Sequence, residues 1–317
     1  MNPVPTSFET CRPEIHFAPL QGYTDMAYYS AFSCCFPHVD FFYTPYFSID
    51  DNLSPKIKNI PQLISKQIVA QVLPKDVHEL KRLLKYVVEN NFAEINLNLG
   101  CPYPMVTNKQ RGAGLIQHRK VVADMIDYIL DHSSLQISVK TRLGLKSEDE
   151  ILQLLDTIAS KKLKSIIVHP RTAVQLYKGD VSLPMYKKCK TLFPTIDFIY
   201  NGDITSVAVF NEVQASLNGQ QKWMIGRGLL SNPFLAEQVK GIFYTDAEAK
   251  KRHLYKFILK LIEETERDSK NNGHLLNRLK TQFHYLSDAF PEPIKTGRLV
   301  KKIKSIEGFE GFLMTNL

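Results

Sequence analysis

Apolar residues in this 317-residue chain follow two alternating rhythms up to about residue 240 and a single rhythm beyond it. Short apolar or alternating segments end near Ala18, Tyr43, Gln71, Asn98, Lys140, His169, Tyr200 and Gly226, and each reads as a strand. Between most of them, residues 76–90, 120–132, 148–161, 183–193 and 204–217 place apolar side chains at i, i+3 and i+4, the period of a helix with one buried face. Successive strand ends lie 25, 28, 27, 42, 29, 31 and 26 residues apart. Eight strands alternating with helices at this spacing predict an α/β fold, a parallel (β/α)8 barrel over residues 1–240. After it, residues 247–267, 274–289 and 294–306 read as helices with no strand between them, which predicts a small all-helical C-terminal domain over 241–317. Residues 48–61 fit neither rhythm and read as an irregular excursion.

In such a barrel the chemistry sits at the carboxyl ends of the strands, so the residues found there decide what the barrel can do. Strand one runs into Ala18-Pro19-Leu20-Gln21-Gly22, a turn that brings backbone close to a ligand. Strand three ends at Gln71, strand four at Asn98, strand five at Lys140 with Arg142 beyond, and strand six at His169-Pro170-Arg171. Strands seven and eight end in Asn201-Gly202-Asp203 and Gly226-Arg227-Gly228, the places where barrels often bind a phosphate through backbone N–H groups. A single Asn-Gly is usually only a turn, and a single buried histidine is usually a satisfied core residue. Polar groups at seven of eight strand ends are another matter, because a barrel core has no use for them there.

The long interval after strand four holds Gly100-Cys101-Pro102 and then Lys109, Arg111, Gly112 and Gly114. Its excess of roughly a dozen residues is room for an active-site lid. A thiol on that loop is placed to reach a ligand, although free cysteine also serves as a small buried hydrophobe. A phosphate seat at strands seven and eight, with Gln71 and Lys140 aimed inward, suits flavin mononucleotide (FMN). The reduced flavin ring is anionic at N1 and O2, and Lys140 would stabilise that charge. No GxGxxG follows a strand, which argues against a dinucleotide held in the Rossmann manner.

Composition narrows the class. Hydrophobic content of 44% and charged content of 23% are those of an ordinary folded chain. No apolar run approaches the roughly 20 residues of a membrane span, and the first residues lack the basic-then-apolar pattern of a secretion signal. Five cysteines without disulfide-like or zinc-like spacing fit a reducing compartment, and the adjacent Cys34 and Cys35 read as structural. The expectation is a cytoplasmic protein with no metal, no membrane contact and no protein partner. Residues 241–317 carry 14 Lys/Arg against 10 Asp/Glu and residues 1–240 carry 26 against 22, so each part is net +4. The tail is therefore about three times as densely charged, which points to a polyanionic partner.

Taken together these stretches resemble the tRNA-dihydrouridine synthase family. The resemblance is carried by residues 18–25, Gln71, 96–102, 112–115, 139–144, 169–172, 177–180, 201–204 and 225–228, in the family's order. It departs from the pattern at Pro170, where a glycine is common, and at Leu20, where a methionine is common. The resemblance implies an oxidoreductase that saturates the C5–C6 bond of particular uridines in tRNA, with FMN as cofactor and NADPH as reductant. By motif, Pro19, Leu20, Gln21, Gln71, Lys140, His169, Asn201, Gly202, Asp203, Gly226 and Arg227 would hold the flavin. Asn98 would contact the uracil and Cys101 would donate the proton to C5. Arg171 or Lys140 would steady developing charge, and Lys109, Arg111, Lys178 and the tail cations are candidates for the tRNA backbone. A different FMN barrel reductase, of the dihydroorotate dehydrogenase or ene-reductase kind, shares the flavin site but leaves the basic tail without a task. An RNA-binding barrel without catalysis leaves the strand-end residues without one.

Overall fold

The computed structural model describes residues 12–49 and 67–316. Eight parallel strands close into a barrel in sequence order, β1 pairing with β8. They are β1 (Glu14–Phe17), β2 (Phe41–Tyr43), β3 (Ile68–Val72), β4 (Glu94–Leu99), β5 (Gln136–Gly144), β6 (Ser165–Thr172), β7 (Phe198–Tyr200) and β8 (Lys222–Ile225). Every predicted strand is present, ending within a few residues of its expected position. Most of the expected excursion at 48–61 lies outside the described residues.

The helices between strands are α1 (Met26–Cys35), α2 (Val77–Glu89), α3 (Pro104–Thr107), α4 (Arg119–His132), α5 (Glu150–Ile158), α6 (Leu183–Leu192) and α7 (Val207–Ser216). Local chemistry starts several of them. Asp25, Asp76 and Ser206 stand at N-caps in extended backbone and accept from the N–H groups of Tyr28, Glu79 and Val209, satisfying donors that a helix start leaves over. Two cores result. A small one inside the barrel holds Ala18, Tyr43, Val69, Ile167, Ile199 and Met224; a large one fills the space between strands and helices. Residues of one strand alternate between them, so Val139 faces the helices while Ser138 and Lys140 face the barrel axis.

Beyond β8 come α8 (Arg227–Ser231), α9 (Leu235–Val239), α10 (Ala247–Arg267), α11 (Asn272–Leu286), α12 (Pro293–Lys302) and α13 (Ile306–Asn316). The expected helical C-terminal region is present, and α13 adds one helix to the three predicted. α10 lies on α1, with Phe257 against Tyr28 and Phe36 and His253 bonded to the Cys35 carbonyl at 2.8 Å. α11 reaches the barrel mouth, where Arg278 bonds Asp25 at 2.6 Å and Tyr285 meets Tyr23 edge-on at 4.9 Å. Among the described residues no helix is long and apolar enough to cross a membrane.

Candidate active site

The carboxyl ends of β1, β5, β6, β7 and β8 surround a cleft of about 530 Å³, its open mouth included. Its lining includes Pro19, Leu20, Lys140, His169, Asn201, Gly202, Asp203, Gly226 and Arg227, nine of the eleven residues assigned to the cofactor from sequence. Two floor turns are closely packed at a glycine. A Cβ on Gly202 would stand 2.8 Å from the Tyr200 hydroxyl, and one on Gly226 would press Leu20 Cδ1 at 3.1 Å. Asn201 ties the two turns together by donating from Nδ2 to the Met224 carbonyl at 2.8 Å.

The cleft is strongly cationic. Lys140, Arg142, Arg171 and Arg227 converge on it, and the main counter-charge is Asp203, which bonds Arg227 at 2.7 Å and also accepts from Arg171. Against burial, these two guanidiniums hold the Asp203 carboxyl below its ordinary value. Arg227 lies over the Tyr177 ring at 4.6 Å, a cation–π contact that fixes the rim. Burial foremost, and then the four surrounding cations, push His169 well below the usual imidazole value, so it is neutral and accepts from Arg171 at 3.3 Å. Lys140 has no hydrogen bond or ion pair with another described residue. Burial and then Arg142 lower its ammonium to about 7. An unpaired, half-desolvated ammonium beside Gly202 and Gly226 is a seat for an anion.

Cys101 lies half-buried on the loop after β4, within electrostatic reach of Lys140 and Arg142. Burial raises its thiol above the ordinary value in spite of both cations, so the sulfur carries its proton at neutral pH. The loop holds its shape through Gly112, at φ +55°, where a Cβ would lie 2.7 Å from the Cys101 carbonyl. That carbonyl accepts from Ala113 N–H at 3.0 Å. Asn98 is buried beneath it, its Oδ1 accepting from the amides of Gly100 and Cys101 at 3.0 and 2.9 Å.

Some sequence expectations change. Arg111 was a candidate for the tRNA backbone, yet its side chain is buried and its guanidinium grips the Glu79 carboxylate, Nη2 to Oε1 at 2.7 Å and Nε to Oε2 at 3.2 Å. It therefore fastens the loop to α2 instead of facing a ligand. The predicted lid contains α3, of which only Val106 is buried, followed by a 3-10 turn at Gly112–Leu115, whose four residues are all buried. Gln21 is exposed and lines a separate cleft with Asp25 and Arg278, between the β1 turn and the tail. Gln71 is buried outside the lining of the main cleft, where its Oε1 accepts from Asn98 Nδ2. Arg171 stands at the cleft edge, fully engaged with Gly179 and Asp203. Lys109 and Lys178 are exposed.

Two residues that the sequence reading named without a role contribute to the site. Arg142 is 1% exposed and donates to the carbonyls of Gly100, Thr172 and Leu176 at 3.1, 2.9 and 2.6 Å, clamping the cysteine loop to the loop after β6. Tyr177 stacks on both Arg142 and Arg227. The signal for Arg142 was its inward register, two residues beyond Lys140 on β5.

Comparison with known proteins agrees with this geometry. Residues 16–308 match the model of the dihydrouridine synthase family. The tRNA-dihydrouridine(16) synthase of Vibrio vulnificus is 27% identical over 244 residues, 76% of this chain and 74% of that one. A probable tRNA-dihydrouridine synthase 2 of Bacillus subtilis is 28% identical over 240 residues, 73% of each. The tRNA-dihydrouridine(20/20a) synthase of Shewanella oneidensis is 29% identical over 182 residues, 54% of this chain and 53% of that one. Among solved structures, morphinone reductase superposes with a TM-score of 0.53 at 10% identity, covering 74% of this chain and 88% of that one. At that identity the likeness speaks to the barrel alone. With the match running through the barrel and most of the helical tail, the chain belongs to the dihydrouridine synthase family.

Proposed function

We propose that this protein reduces the C5–C6 bond of uridine in tRNA to 5,6-dihydrouridine, with FMN in the cationic cleft and NADPH as the reductant. The observation that carries the reading is one juxtaposition: a protonated thiol at Cys101 within electrostatic reach of Lys140, whose ammonium has no partner among the described residues, at the mouth that holds the closely packed glycine turns at Gly202 and Gly226. The residues present fit the cofactor. Gly202, Asn201, Gly226 and Arg227 would take its phosphate, Lys140 its anionic ring edge, and Pro19 and Leu20 its apolar face. Bound there, FMN supplies the hydride for C6 of the uracil.

The chain's own groups do the rest. Cys101 gives its proton to C5, and the thiolate left behind is steadied by Arg142 and Lys140, the two cations that already act on that sulfur. Asn98, whose Oδ1 holds the amides of Gly100 and Cys101, sets the height of the thiol and meets the uracil edge. Tyr103 stands exposed at the rim and offers a flat face to a base drawn out of its stack. The exposed Lys109 and Lys178, with Lys295, Arg298 and Lys302 on α12, make the electrostatic footing for the tRNA backbone. In this reading residues 241–317 form the tRNA-binding part and residues 1–240 the catalytic barrel.

The test is mass-spectrometric mapping of dihydrouridine in tRNA from cells lacking this protein. At least one position should lose the modification and regain it with the wild-type chain but not with Cys101→Ala. An unchanged map would refute the reading. Full activity on a small molecule after removal of residues 241–317 would move it to the small-molecule reductases.

A further inference from the structure

The inward-facing side chains of β3, β4 and β5 form one continuous hydrogen-bonded ladder from the closed end of the barrel to the cysteine loop. The Gly100 and Cys101 amides donate to Asn98 Oδ1. Asn98 Nδ2 donates to Gln71 Oε1 at 2.8 Å, and Gln71 Nε2 to Asn96 Oδ1 at 2.9 Å. Asn96 Nδ2 donates to Ser138 Oγ at 2.9 Å, and Ser138 in turn donates to Glu94, whose other oxygen takes Lys164 Nζ at 2.6 Å. Every donor points toward Glu94.

This direction is fixed at both ends. Backbone N–H groups can only donate, and an ionised carboxylate can only accept. Turning any one amide round would set donor against donor on one side and acceptor against acceptor on the other, inside a barrel where Asn96 and Ser138 are wholly buried. The ladder therefore determines which atoms of Gln71 and Asn98 remain for a ligand, and it carries the Cys101 amide at its top.

We propose that Glu94, Ser138 and Asn96 are positioning residues for the reaction: without touching the cleft, they fix the orientation of the Gln71 and Asn98 amides and the seat of Cys101. The proposal rests on the function given above, and its test has one arm that does not.

In the full chain, iodoacetamide labelling of each cysteine is followed by peptide mass spectrometry. Ser138→Ala should raise the labelling rate of Cys101 about tenfold, the scale of one lost hydrogen bond. Ser138→Thr, which keeps the hydroxyl, should restore it. Glu94→Gln, which puts a donor where the ladder needs an acceptor, should act as Ser138→Ala does. Cys189, buried on α6 well away from the ladder, is the internal reference. Cys101 labelling that stays at the wild-type rate in Ser138→Ala overturns the proposal. So does labelling of Cys189 that rises in step, because the ladder would then be a structural support and nothing more.

The second arm follows reoxidation of the reduced holoenzyme by unmodified tRNA. It should slow about tenfold in Ser138→Ala at equal flavin content and recover in Ser138→Thr. A wild-type rate in Ser138→Ala overturns the catalytic part of the proposal. A wild-type enzyme that tRNA does not reoxidise refutes the proposed function instead, while the labelling arm still decides the ladder.

Discussion

The two ends of the barrel are built from the same eight strands and handle charge in opposite ways. At the closed end Glu14, His16, Glu94, Lys164, Asp197 and Lys222 pair among themselves, with Lys164 to Glu94 at 2.6 Å, Glu14 to His16 at 2.7 Å and Lys222 to Asp197 at 2.5 Å. At the open end Arg171 and Arg227 share Asp203, and Lys140 has no hydrogen bond or ion pair with another described residue. Each of the groups named at the first end has a partner within the barrel. The second is left incomplete, and in the proposed reading an anionic ligand completes it. Stability and function are thus separated along the barrel axis by the register of inward-facing residues.

The sharpest way to break this comparison is at the sulfur. Cys101→Ala should leave fold and flavin content unchanged while product formation falls at least about 100-fold, the usual weight of a positioned acid. Product analysis by mass spectrometry, with the flavin spectrum alongside, checks both halves.

A matched pair of lysines sharpens it next. Lys164→Met leaves Glu94 buried without its partner, and should destabilise the chain by about 1–3 kcal/mol in urea melts with flavin affinity unchanged. Lys140→Met removes a desolvated, unpaired charge, and should stabilise the flavin-free chain by about 1–2 kcal/mol while weakening FMN at least tenfold. Equal effects of the two substitutions on FMN would erase the distinction between the ends.

The pH dependence has a definite sign. Lys140 sits near 7 in the ligand-free chain, lowered from its unfolded value chiefly by burial, so it is charged only below that pH. FMN affinity should fall as pH rises through about 7, by at most tenfold per pH unit, and Lys140→Met should flatten the curve. By the same shift the unfolded chain binds more protons between about 7 and the unfolded lysine value, so this group makes the ligand-free fold more stable with rising pH in that window. Fluorescence titration of FMN across pH reads the first effect and urea melts the second. The smallest effect belongs to the tail, where Lys295→Glu with Arg298→Glu should weaken tRNA about tenfold and reduce the salt slope, leaving FMN binding alone.

Much of this arrangement was legible from the order of residues. The strands, buried on both faces, announced themselves as short apolar runs that end in polar residues. The three tail helices did so because each has one buried face, which leaves a period in the sequence. α1 left none: Ala27, Tyr28, Tyr29, Ala31, Phe32, Ser33 and Cys35 are all buried, packed between the barrel and α10, so no polar face marks the helical repeat. α13 does bury one face, at Phe309, Phe312 and Leu313, but its Gly308 and Gly311 are poor helix formers. Arg111 misled because a cation on a polar loop reads as exposed, and its partner Glu79 lies 32 positions away. The ladder was hidden for the same reason. Glu94, Asn96 and Asn98 alternate visibly, but their partners Gln71 and Ser138 lie on β3 and β5. Pairings between strands are set by register, which a single sequence does not display.

The central claim is that the incomplete end of the barrel holds a flavin whose reducing equivalents pass to a uridine of tRNA. Its most direct test is a single turnover without oxygen, in which the reduced, purified protein is mixed with tRNA lacking dihydrouridine. The account predicts return of the oxidised flavin spectrum together with dihydrouridine in a matching amount. A colourless protein, or flavin that stays reduced while the tRNA remains unmodified, would contradict it.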